Sequence, residues 1–404
     1  MKIGIIKEGK VPPDNRVALT PKQCKVVLKD YPVGIIVQPS PDRCISLDEY
    51  RAAGIPVSND LSDCDVLLGV KEVPISQLIP GKTYFFFSHT IKKQPYNRDL
   101  LRAILEMNIR LIDYEVLTDD WGSRLIAFGR FAGMVGAHNA LLAYGKRLGE
   151  FHLPRMKEFE HYAEAKVFYQ GVNFPKCRIV LTGSGRVSKG AKMVLQDMGI
   201  QEVSPEGFLT EEFNMPVFTQ LDSLHYVQRK DGRPFRKDDF YNNPAEYKSS
   251  FAPYFQRTDI MINGIFWNVK VPAFFTLEEM QSLEFRIQVI ADVTCDIAPV
   301  ASIPSTIRPS TISDPVYGFD PATRQEKPPF SPPFVDVMAV DNLPNELPRD
   351  ASDSFGQQFL QYIIPELMKS QSDMLERATI AQNGELTPNY RYLEDYVGAI
   401  HSGE

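Results

Sequence analysis

Charged side chains follow several short apolar runs in the first third of the chain. Lys71 follows the run at 66–70, His89 follows the run YFFFS, and Glu115 comes just after the run at 109–113. Arg124 comes soon afterwards. Short apolar runs are typical of buried strands, and α/β enzymes place their chemistry just beyond strand ends. Any one of these charges could be a solvated loop residue, but four in one stretch favour an active site.

The elements that would position these groups alternate between strand and helix. Strands are predicted at 2–6, 33–38, 66–70, 83–87 and 109–113. Helices are predicted at 21–29, with Thr20 as the N-cap, and at 98–107. Such alternation predicts a largely parallel sheet that is joined by crossover helices.

A second series of strands and helices begins further along the chain. We expect a long helix at 133–149 to leave the first domain and enter the second. The series then runs as follows: strand 178–181, glycine-rich turn 182–190, helix 191–199, strand 200–203, irregular aromatic segment 210–257, strands 259–262 and 287–292, extended proline-rich segment 304–333, amphipathic helix 355–374 and a helical tail from Ala378.

These patterns predict an α/β fold with two Rossmann-like domains, a cleft between them, and C-terminal helices that return to the first domain. A chain of 404 residues is long enough for two domains. The substrate and catalytic domain is expected at 1–132 plus 345–404. The NAD(P)-binding Rossmann domain is expected at 133–344.

The glycine-rich turn GSGRVSKGA follows a strand and opens a helix. In that context glycines turn tightly and bring backbone N–H groups onto a pyrophosphate. The turn departs from GxGxxG, because Ser188 stands at the third glycine position and Gly190 comes two residues later. A tight turn without a ligand is the alternative. The residues expected around the pyrophosphate of NAD or NADP are Gly183, Ser184, Gly185, Arg186 and Val187.

An acidic residue about 20 positions after the turn would hold the ribose of NAD. The candidate region is EVSPE at 202–206. Glu202 lies inside the predicted strand, whereas Ser204 is expected at the strand end and could tolerate a 2′-phosphate. The choice between NAD and NADP therefore stays open.

Composition argues against several functional classes. The net charge of −7 is unlike that of a general nucleic-acid binder. The five cysteines are scattered without a CxxC motif or a Cys/His cluster, so no metal site or disulfide framework is indicated. No apolar run approaches the ~20 residues that span a bilayer. The N-terminus reads as a charged strand rather than a signal peptide, and we expect a cytoplasmic monomer or homodimer.

Motifs along nearly the whole chain resemble one enzyme family. The opening KIGIIKEGKVPPDNRVALTP resembles the start of the alanine dehydrogenase and transhydrogenase-α superfamily. More specific motifs resemble the lysine–2-oxoglutarate reductase domain of bifunctional aminoadipic semialdehyde synthases and, less closely, the fungal lysine-forming saccharopine dehydrogenases. These motifs are VKEVP, FFFSHTIKKQ, LIDYE, AFGRFAG, GSGRVSKGA, INGIFW and VDNLPNELP.

The resemblance implies roles for individual residues. Lys71 and His89 match the lysine and histidine that transfer protons in the family, and Glu115 matches an acidic residue that would modulate Lys71. Further matches imply contacts with substrate or nicotinamide. The substrate positions are Arg16, Gln94, Arg124 and Phe128, and the nicotinamide loop is Asp292, Val293 and Thr294. Arg16 could otherwise be a solvated loop charge, and Phe128 could be plain core.

The expected activity is therefore the NAD(P)-dependent interconversion of saccharopine with L-lysine and 2-oxoglutarate. An alanine dehydrogenase or another opine-type amino-acid dehydrogenase is the enzymatic alternative. The motifs FFSHTIK and DNLPNELP are not expected in alanine dehydrogenase. A non-catalytic sensor of dinucleotide or amino acid is the third candidate, although it would not need a proton-transfer pair.

Overall fold

The computed structural model describes residues 1–398, and its chain divides into two compact units. Unit 1 comprises Met1–Phe128 and Pro348–Glu404, and unit 2 comprises Gly129–Leu347. The assignment of substrate chemistry to one unit and nucleotide binding to the other stays a prediction. Within residues 1–398, no helix combines the length and apolar character that crossing a membrane requires.

Residues 1–128 of unit 1 alternate strand and helix, as the sequence predicts. Thr20 caps the first helix, because its side chain accepts a hydrogen bond from the N–H of Gln23. The elements are β1 (Lys2–Ile5), α1 (Pro21–Asp30), β2 (Gly34–Val37), α2 (Leu47–Ala52), β3 (Val66–Leu68), β4 (Thr83–Phe86), α3 (Arg98–Glu106) and β5 (Arg110–Asp113).

Unit 2 begins with a long helix and continues through a second alternating series. The elements are α4 (Gly129–Leu148), α5 (Tyr162–Tyr169), β6 (Arg178–Thr182), α6 (Arg186–Asp197), β7 (Gln201–Glu202), α7 (Pro205–Thr210), β8 (Val217–Leu221), α8 (Ser223–Tyr226), β9 (Val227–Arg229), α9 (Lys237–Asn242), β10 (Tyr247–Ser249), α10 (Ala252–Phe255), β11 (Ile260–Asn263), α11 (Leu277–Met280), β12 (Val289–Asp292), β13 (Val316–Asp320), β14 (Gln325–Lys327) and β15 (Val335–Met338).

Most of the strands of unit 2 form one large sheet. Its order in unit 2 is β14-β13-β15-β12-β11-β6-β8-β7, and β9 pairs with β10 in a separate ribbon. The strands from β15 through β7 are parallel, whereas β13 and β14 form an antiparallel edge. This confirms the α/β class with a largely parallel sheet.

Three predictions in unit 2 are wrong. The helix after the glycine-rich turn begins at Arg186 rather than at residue 191, because the turn itself is shorter. The segment 210–257 is not irregular, since it contains β8 and its aromatic side chains fill the core beside the sheet. The segment 304–333 is not simply extended, because β13 and β14 pair there within the sheet.

The C-terminal part of the chain belongs to unit 1. Its elements are α12 (Pro348–Gln358), a π-helical turn (Phe359–Ile363), α13 (Ile364–Leu367), α14 (Asp373–Ala378), β16 (Thr379–Gln382), β17 (Glu385–Leu386) and α15 (Glu394–Val397). The single helix predicted at 355–374 is therefore wrong. Pro365 cannot donate a backbone hydrogen bond, and the helix widens just before it.

The tail from Ala378 begins as a hairpin and not as a helix. The described residues of unit 1 form a seven-stranded sheet of order β17-β16-β5-β4-β3-β1-β2. β16 adds antiparallel to β5, and the turn at Asn383 and Gly384 has φ angles of 53° and 77°. Asn-Gly is the sequence best suited to a turn with two positive φ angles.

Candidate functional site

The strand order of unit 1 explains why charged residues gather at one edge. The parallel strands run in the order β2-β1-β3-β4-β5, so successive connections leave β1 in opposite directions. In open α/β sheets, ligands bind at the carboxyl ends of strands beside this reversal. Glu8 follows β1 and Lys71 follows β3, so both lie at the reversal. His89 and Glu115 follow the next two strands.

Lys71 lies in a buried setting rich in charge. The carboxylate of Glu8 accepts the backbone N–H groups of Val70 and Lys71 at 2.7 and 2.8 Å. Burial lowers the pKa of the Lys71 ammonium, and the positive charges of Arg16 and Lys10 lower it further. Lys71 is therefore the kind of lysine that can lose its proton and act as a base.

Burial acts in the opposite direction on Glu8. It raises the pKa of this carboxyl to about 7, with a further contribution from the negative charge of Asp14. The two backbone N–H groups oppose the change but do not cancel it. A carboxyl that titrates near neutral pH thus holds the backbone of the loop that carries Lys71.

Arg16 and Phe128, two predicted substrate contacts, lie against each other. The Arg16 Cζ atom is 4.1 Å from the centre of the Phe128 ring, which stacks on Phe355 at 4.8 Å. Arg16 also donates to Asp14 from Nε at 2.9 Å and from Nη2 at 2.5 Å. Only 3% of the Arg16 side chain is exposed, and its charge holds the pKa of Asp14 far below the usual range despite burial.

His89 is held between two carboxylates. Its Nδ1 is 3.6 Å from Glu115 Oε2, and its Nε2 is 3.8 Å from Glu72 Oε1. The imidazole ring lies nearly parallel to the Phe87 ring, with 6.3 Å between centres. His89 also has φ 53° and ψ 14°, a left-handed conformation that is uncommon for residues other than glycine. Such conformations persist only where surrounding contacts enforce them.

Asp113 holds Ser88, the residue that precedes His89. Its fully buried carboxylate accepts the backbone N–H of Ser88 at 3.0 Å and also the Ser88 hydroxyl. The other carboxylate oxygen accepts the N–H of Glu115 at 2.7 Å. The Ser88 hydroxyl lies 2.7 Å from that of Thr90. One carboxylate therefore ties together the loops that carry His89 and Glu115.

Glu115 lies beside His89 and Lys92, and its expected influence on Lys71 stays a prediction. Its Oε1 is 3.0 Å from the Lys92 ammonium, and no hydrogen bond or ion pair within residues 1–398 joins it to Lys71. Burial alone would raise the pKa of Glu115. The nearby His89 imidazole and the positive charge of Lys92 outweigh that effect and hold the pKa of Glu115 at about 2.

Arg124 lies beside this cluster, whereas the structure does not bring Gln94 into it. The Arg124 Cζ atom is 5.3 Å from the centre of the Phe87 ring, and its charge helps to lower the pKa of Glu115. Gln94 ends a loop where its carbonyl accepts the N–H of Asn97 at 3.0 Å. In the described part of the chain, the Gln94 side chain makes no hydrogen bond to the cluster.

In unit 2, the glycine-rich turn has the geometry of an anion cradle. Gly183 has φ 89°, and a Cβ there would lie 2.9 Å from the Gly264 carbonyl oxygen. A Cβ at Gly185 would meet no atom within 4 Å, so that backbone faces open space. Ser184 is exposed in the turn between these glycines. Arg186 and Val187 then begin α6, whose first-turn N–H groups have no helical partners and favour an anion.

The extra glycine of the motif has a packing role. A Cβ at Gly190 would lie 1.9 Å from the carbonyl oxygen of Arg130 in α4, and one at Gly133 would lie 1.7 Å from the Val187 carbonyl oxygen. Both positions let α4 and α6 approach closely. Ser188, at the third glycine position of the usual motif, is buried and donates to the Thr182 carbonyl at 2.9 Å.

The expected position of Ser204 is wrong. β7 ends at Glu202, and Ser204 caps α7 by accepting the N–H of Gly207 at 3.0 Å. β7 is moreover the edge strand, and β8 lies next to β6. The acidic residue that follows β8 is Asp222, and it lines the same cavity of about 430 Å³ as Gly183 and Gly185.

The predicted nicotinamide loop is anchored within unit 2. The buried carboxylate of Asp292 accepts from the Asn263 amide at 2.9 Å and from the Thr306 hydroxyl at 2.7 Å. Burial raises the pKa of Asp292 to about 6. The Thr294 hydroxyl donates to the Ile265 carbonyl at 2.9 Å. Val293 packs against Gly136, where a Cβ would lie only 2.4 Å from the Val293 Cγ2 atom. These three residues fix the shape of the loop through internal contacts.

Sequence comparison shows which known proteins the chain is similar to. Residues 4–135 match the model of the alanine dehydrogenase/PNT N-terminal domain. The chain is 31% identical to alpha-aminoadipic semialdehyde synthase of Arabidopsis thaliana over 97% of its own length and 41% of that protein. It is 27% identical to saccharopine dehydrogenase (NAD(+), L-lysine-forming) of Schizosaccharomyces pombe, over 88% and 90% of the two chains. These likenesses support the resemblance to the lysine-forming saccharopine dehydrogenases and to the wider group that contains the alanine dehydrogenase/PNT N-terminal domain.

Two solved structures share the fold of this chain. An L-alanine dehydrogenase aligns with a TM-score of 0.66 over 98% of this chain and 99% of its own, at 16% identity. A transhydrogenase from Sinorhizobium meliloti aligns with a TM-score of 0.58 over 96% and 100%, at 14% identity. The chain spans less than half the length of the synthases from Arabidopsis thaliana and Mus musculus.

The sequence patterns did not reveal several charged residues beside these side chains. Glu72 is the second carboxylate beside His89 and also lies 3.3 Å from Lys10. Glu72 adjoins Lys71, and Lys92 follows His89 by three residues. Both residues could have been predicted by including every charged residue within a few positions of a strand end. Asp14 gives no such signal, because its importance depends on the fold that buries it with Arg16.

Proposed function

We propose that this protein interconverts saccharopine with L-lysine and 2-oxoglutarate, with NAD or NADP as the redox partner. The observation that carries the proposal is the cluster at the strand ends of unit 1, where a lysine of lowered pKa and a histidine between two carboxylates lie beside arginines. The names of the similar proteins support the same reaction.

The glycine-rich turn of unit 2 fits a dinucleotide. Gly183 and Gly185 leave their backbone open, and the first-turn N–H groups of α6 would face the pyrophosphate. When bound, the nicotinamide ring accepts a hydride from the carbon of saccharopine that bears the secondary amine, or returns it in the reverse direction.

The remaining steps are proton transfers and fall to unit 1. Loss of hydride from the neutral secondary amine leaves a protonated imine. Water adds to its carbon and loses a proton, and the resulting carbinolamine collapses to lysine and 2-oxoglutarate as its hydroxyl loses a proton and its nitrogen gains one. Lys71 would accept the proton that the attacking water loses, because burial and the charges of Arg16 and Lys10 lower the pKa of its ammonium. His89 would return a proton to the departing amine. Glu72 and Glu115 on either side of the ring can accept its N–H groups and fix its orientation.

The positive charges in unit 1 suit the three carboxylates of saccharopine. Arginine can hold a carboxylate through two parallel hydrogen bonds. Arg124 lies over the ring of Phe87, and that ring stacks on His89. Lys92 pairs with Glu115, which also lies beside His89. Arg16 already donates two hydrogen bonds to the Asp14 carboxylate and lies over the Phe128 ring. Its expected role therefore includes holding these two side chains in position.

Initial-rate measurements test the proposal. Oxidation of NADH or NADPH should require both lysine and 2-oxoglutarate, and pyruvate with ammonia should give no comparable rate. Lys71→Met and His89→Asn should abolish most of the rate. Lys82→Met is the matched control, because Lys82 precedes β4 at the opposite strand end and donates to the Ser62 carbonyl. Activity with pyruvate and ammonia alone would instead support an alanine dehydrogenase.

A further inference from the structure

The Glu8 carboxylate joins the ends of two neighbouring strands in unit 1. β1 and β3 pair in parallel, with Ile5 opposite Leu68. Glu8 and Lys71 each lie three residues beyond this pair. The Glu8 Oε1 atom accepts the N–H of Val70 at 2.7 Å, and Oε2 accepts the N–H of Lys71 at 2.8 Å. Both carboxylate oxygens therefore bind the main chain that leads into Lys71.

We propose that Glu8 is a positioning residue for Lys71, and that its ionised carboxylate holds the lysine where it accepts a proton during catalysis. This inference rests on the proposed function for the role of Lys71 as the base. A carboxylate offers two acceptor oxygens, whereas in a protonated carboxyl one oxygen becomes a donor. Protonation of Glu8 therefore removes one acceptor. It also weakens the other bond, because hydrogen bonds to an ionised group are roughly twice as strong as neutral ones.

The groups that face Glu8 bring its titration close to neutral pH. Burial and, next, the negative charge of Asp14 raise the pKa of this carboxyl to about 7. The two backbone N–H groups and the positive charge of Arg16 act in the opposite direction. The ionised Glu8 in turn helps to raise the pKa of the Tyr114 phenol, and it opposes the lowering of the Arg43 pKa by burial. The charge of Glu8 therefore changes within the pH range of an ordinary assay.

The loop after β3 is anchored on its other side by β4. The Gly69 N–H donates to the Phe85 carbonyl at 2.9 Å, and the Val70 carbonyl accepts the N–H of Phe87 at 3.0 Å. The strand itself lies between β1 and β4 in the sheet. A change at Glu8 should therefore displace the main chain at Lys71 without unfolding β3.

Amide hydrogen exchange at Val70 and Lys71 tests the hold of Glu8 on this loop. It is resolved by NMR of the whole ¹⁵N-labelled chain, without any substrate. After correction for the intrinsic effect of pH, both amides of the wild type should exchange about tenfold more slowly at pH 8 than at pH 6. Glu8→Gln should remove this step, because glutamine does not ionise. Asp65→Asn, the matched control, should keep it, because Asp65 accepts the Lys2 N–H at 2.7 Å at the opposite end of β3.

Saccharopine oxidation tests whether the same hold matters for catalysis. The kcat of Glu8→Gln should be about tenfold below that of wild type at pH 8, with a change in KM below about threefold. At pH 6 the difference should shrink to about twofold, because a carboxyl with a pKa of about 7 is already mostly protonated in the wild type. A substitution that only destabilised unit 1 would lower both rates by the same factor. Asp65→Asn should match wild type at both pH values.

Two results would overturn the inference. One is an exchange step that is absent from wild type or that persists in Glu8→Gln. The other is a rate difference between wild type and Glu8→Gln that is equal at pH 6 and pH 8. An inactive wild type that shows the exchange step would instead refute the proposed function while supporting the hold of Glu8 on Lys71, because the exchange measurement involves no saccharopine.

Discussion

Substitution of Glu115 by Gln should destabilise unit 1 in a pH-dependent manner. The carboxylate lies 3.0 Å from Lys92 and 3.6 Å from His89, and only 13% of its side chain is exposed. Its pKa is held at about 2 in place of 4.5. A tenfold change in proton affinity corresponds to about 1.4 kcal/mol, so the ionised carboxylate contributes up to about 3 kcal/mol of stability at neutral pH.

The sign of the pH dependence follows from the lowered pKa. This contribution is fully present above pH 4.5 and is lost as the pH falls from there through about 2. Between pH 7 and pH 4 the wild type should lose about 0.8 kcal/mol from this group, because the unfolded chain takes up the proton first. The stability difference between wild type and Glu115→Gln should therefore shrink by that amount over the same interval.

Native-state hydrogen exchange of peptides from β4 and β5 measures the stability of unit 1 directly. Glu106→Gln is the matched control, because Glu106 is exposed at the end of α3. Lys92→Met should lower the free energy of unfolding by about 1 kcal/mol less in the Glu115→Gln background than in the wild type, because the Lys92 and Glu115 side chains contact each other. A stability difference below about 1 kcal/mol at pH 7, or one that stays constant to pH 4, would refute the reasoning.

Two further substitutions test the account in other places. Lys71→Met should reduce kcat by about 10²- to 10⁴-fold and remove the rise of saccharopine oxidation with pH, because the neutral amine is the base. The same variant should be more stable than wild type to urea at pH 7. A lowered lysine pKa means that the buried ammonium destabilises the folded state below that pKa, and methionine removes the charge. Lower stability of Lys71→Met than of wild type would contradict the lowered pKa. Gly190→Ala should lower the free energy of unfolding by about 1–3 kcal/mol, because its Cβ would meet the Arg130 carbonyl at 1.9 Å. Gly185→Ala has open space around its Cβ and should keep wild-type thermal stability, so equal melting temperatures for both glycine variants would contradict the packing role of Gly190.

The α/β class and the position of the catalytic candidates could be predicted from the sequence. Strands in parallel sheets are buried on both faces and therefore read as continuous apolar runs. The first charge after such a run marks a strand end, and this rule located Lys71, His89 and Glu115. The similarity to L-alanine dehydrogenase confirms the fold class.

Contacts that depend on strand order could not be predicted in this way. β7 ends at Glu202 and is the edge strand, so a spacing of about 20 residues could not place the strand end that was expected at Ser204. The pairing of Glu115 with His89 and Lys92 likewise depends on loops that meet only in the folded sheet. The hairpin after Thr379 is different, because its Asn-Gly turn was readable in the sequence and was overlooked.

Mass analysis of the reaction product tests the central claim most directly. The protein would be supplied with lysine labelled by ¹⁵N at the ε position, together with 2-oxoglutarate and NADH. The account predicts a product in which lysine and a glutarate unit share the labelled nitrogen, and Lys71→Met should form far less of it. Oxidation of NADH without this labelled secondary amine, or an unlabelled product, would contradict the assignment of saccharopine chemistry.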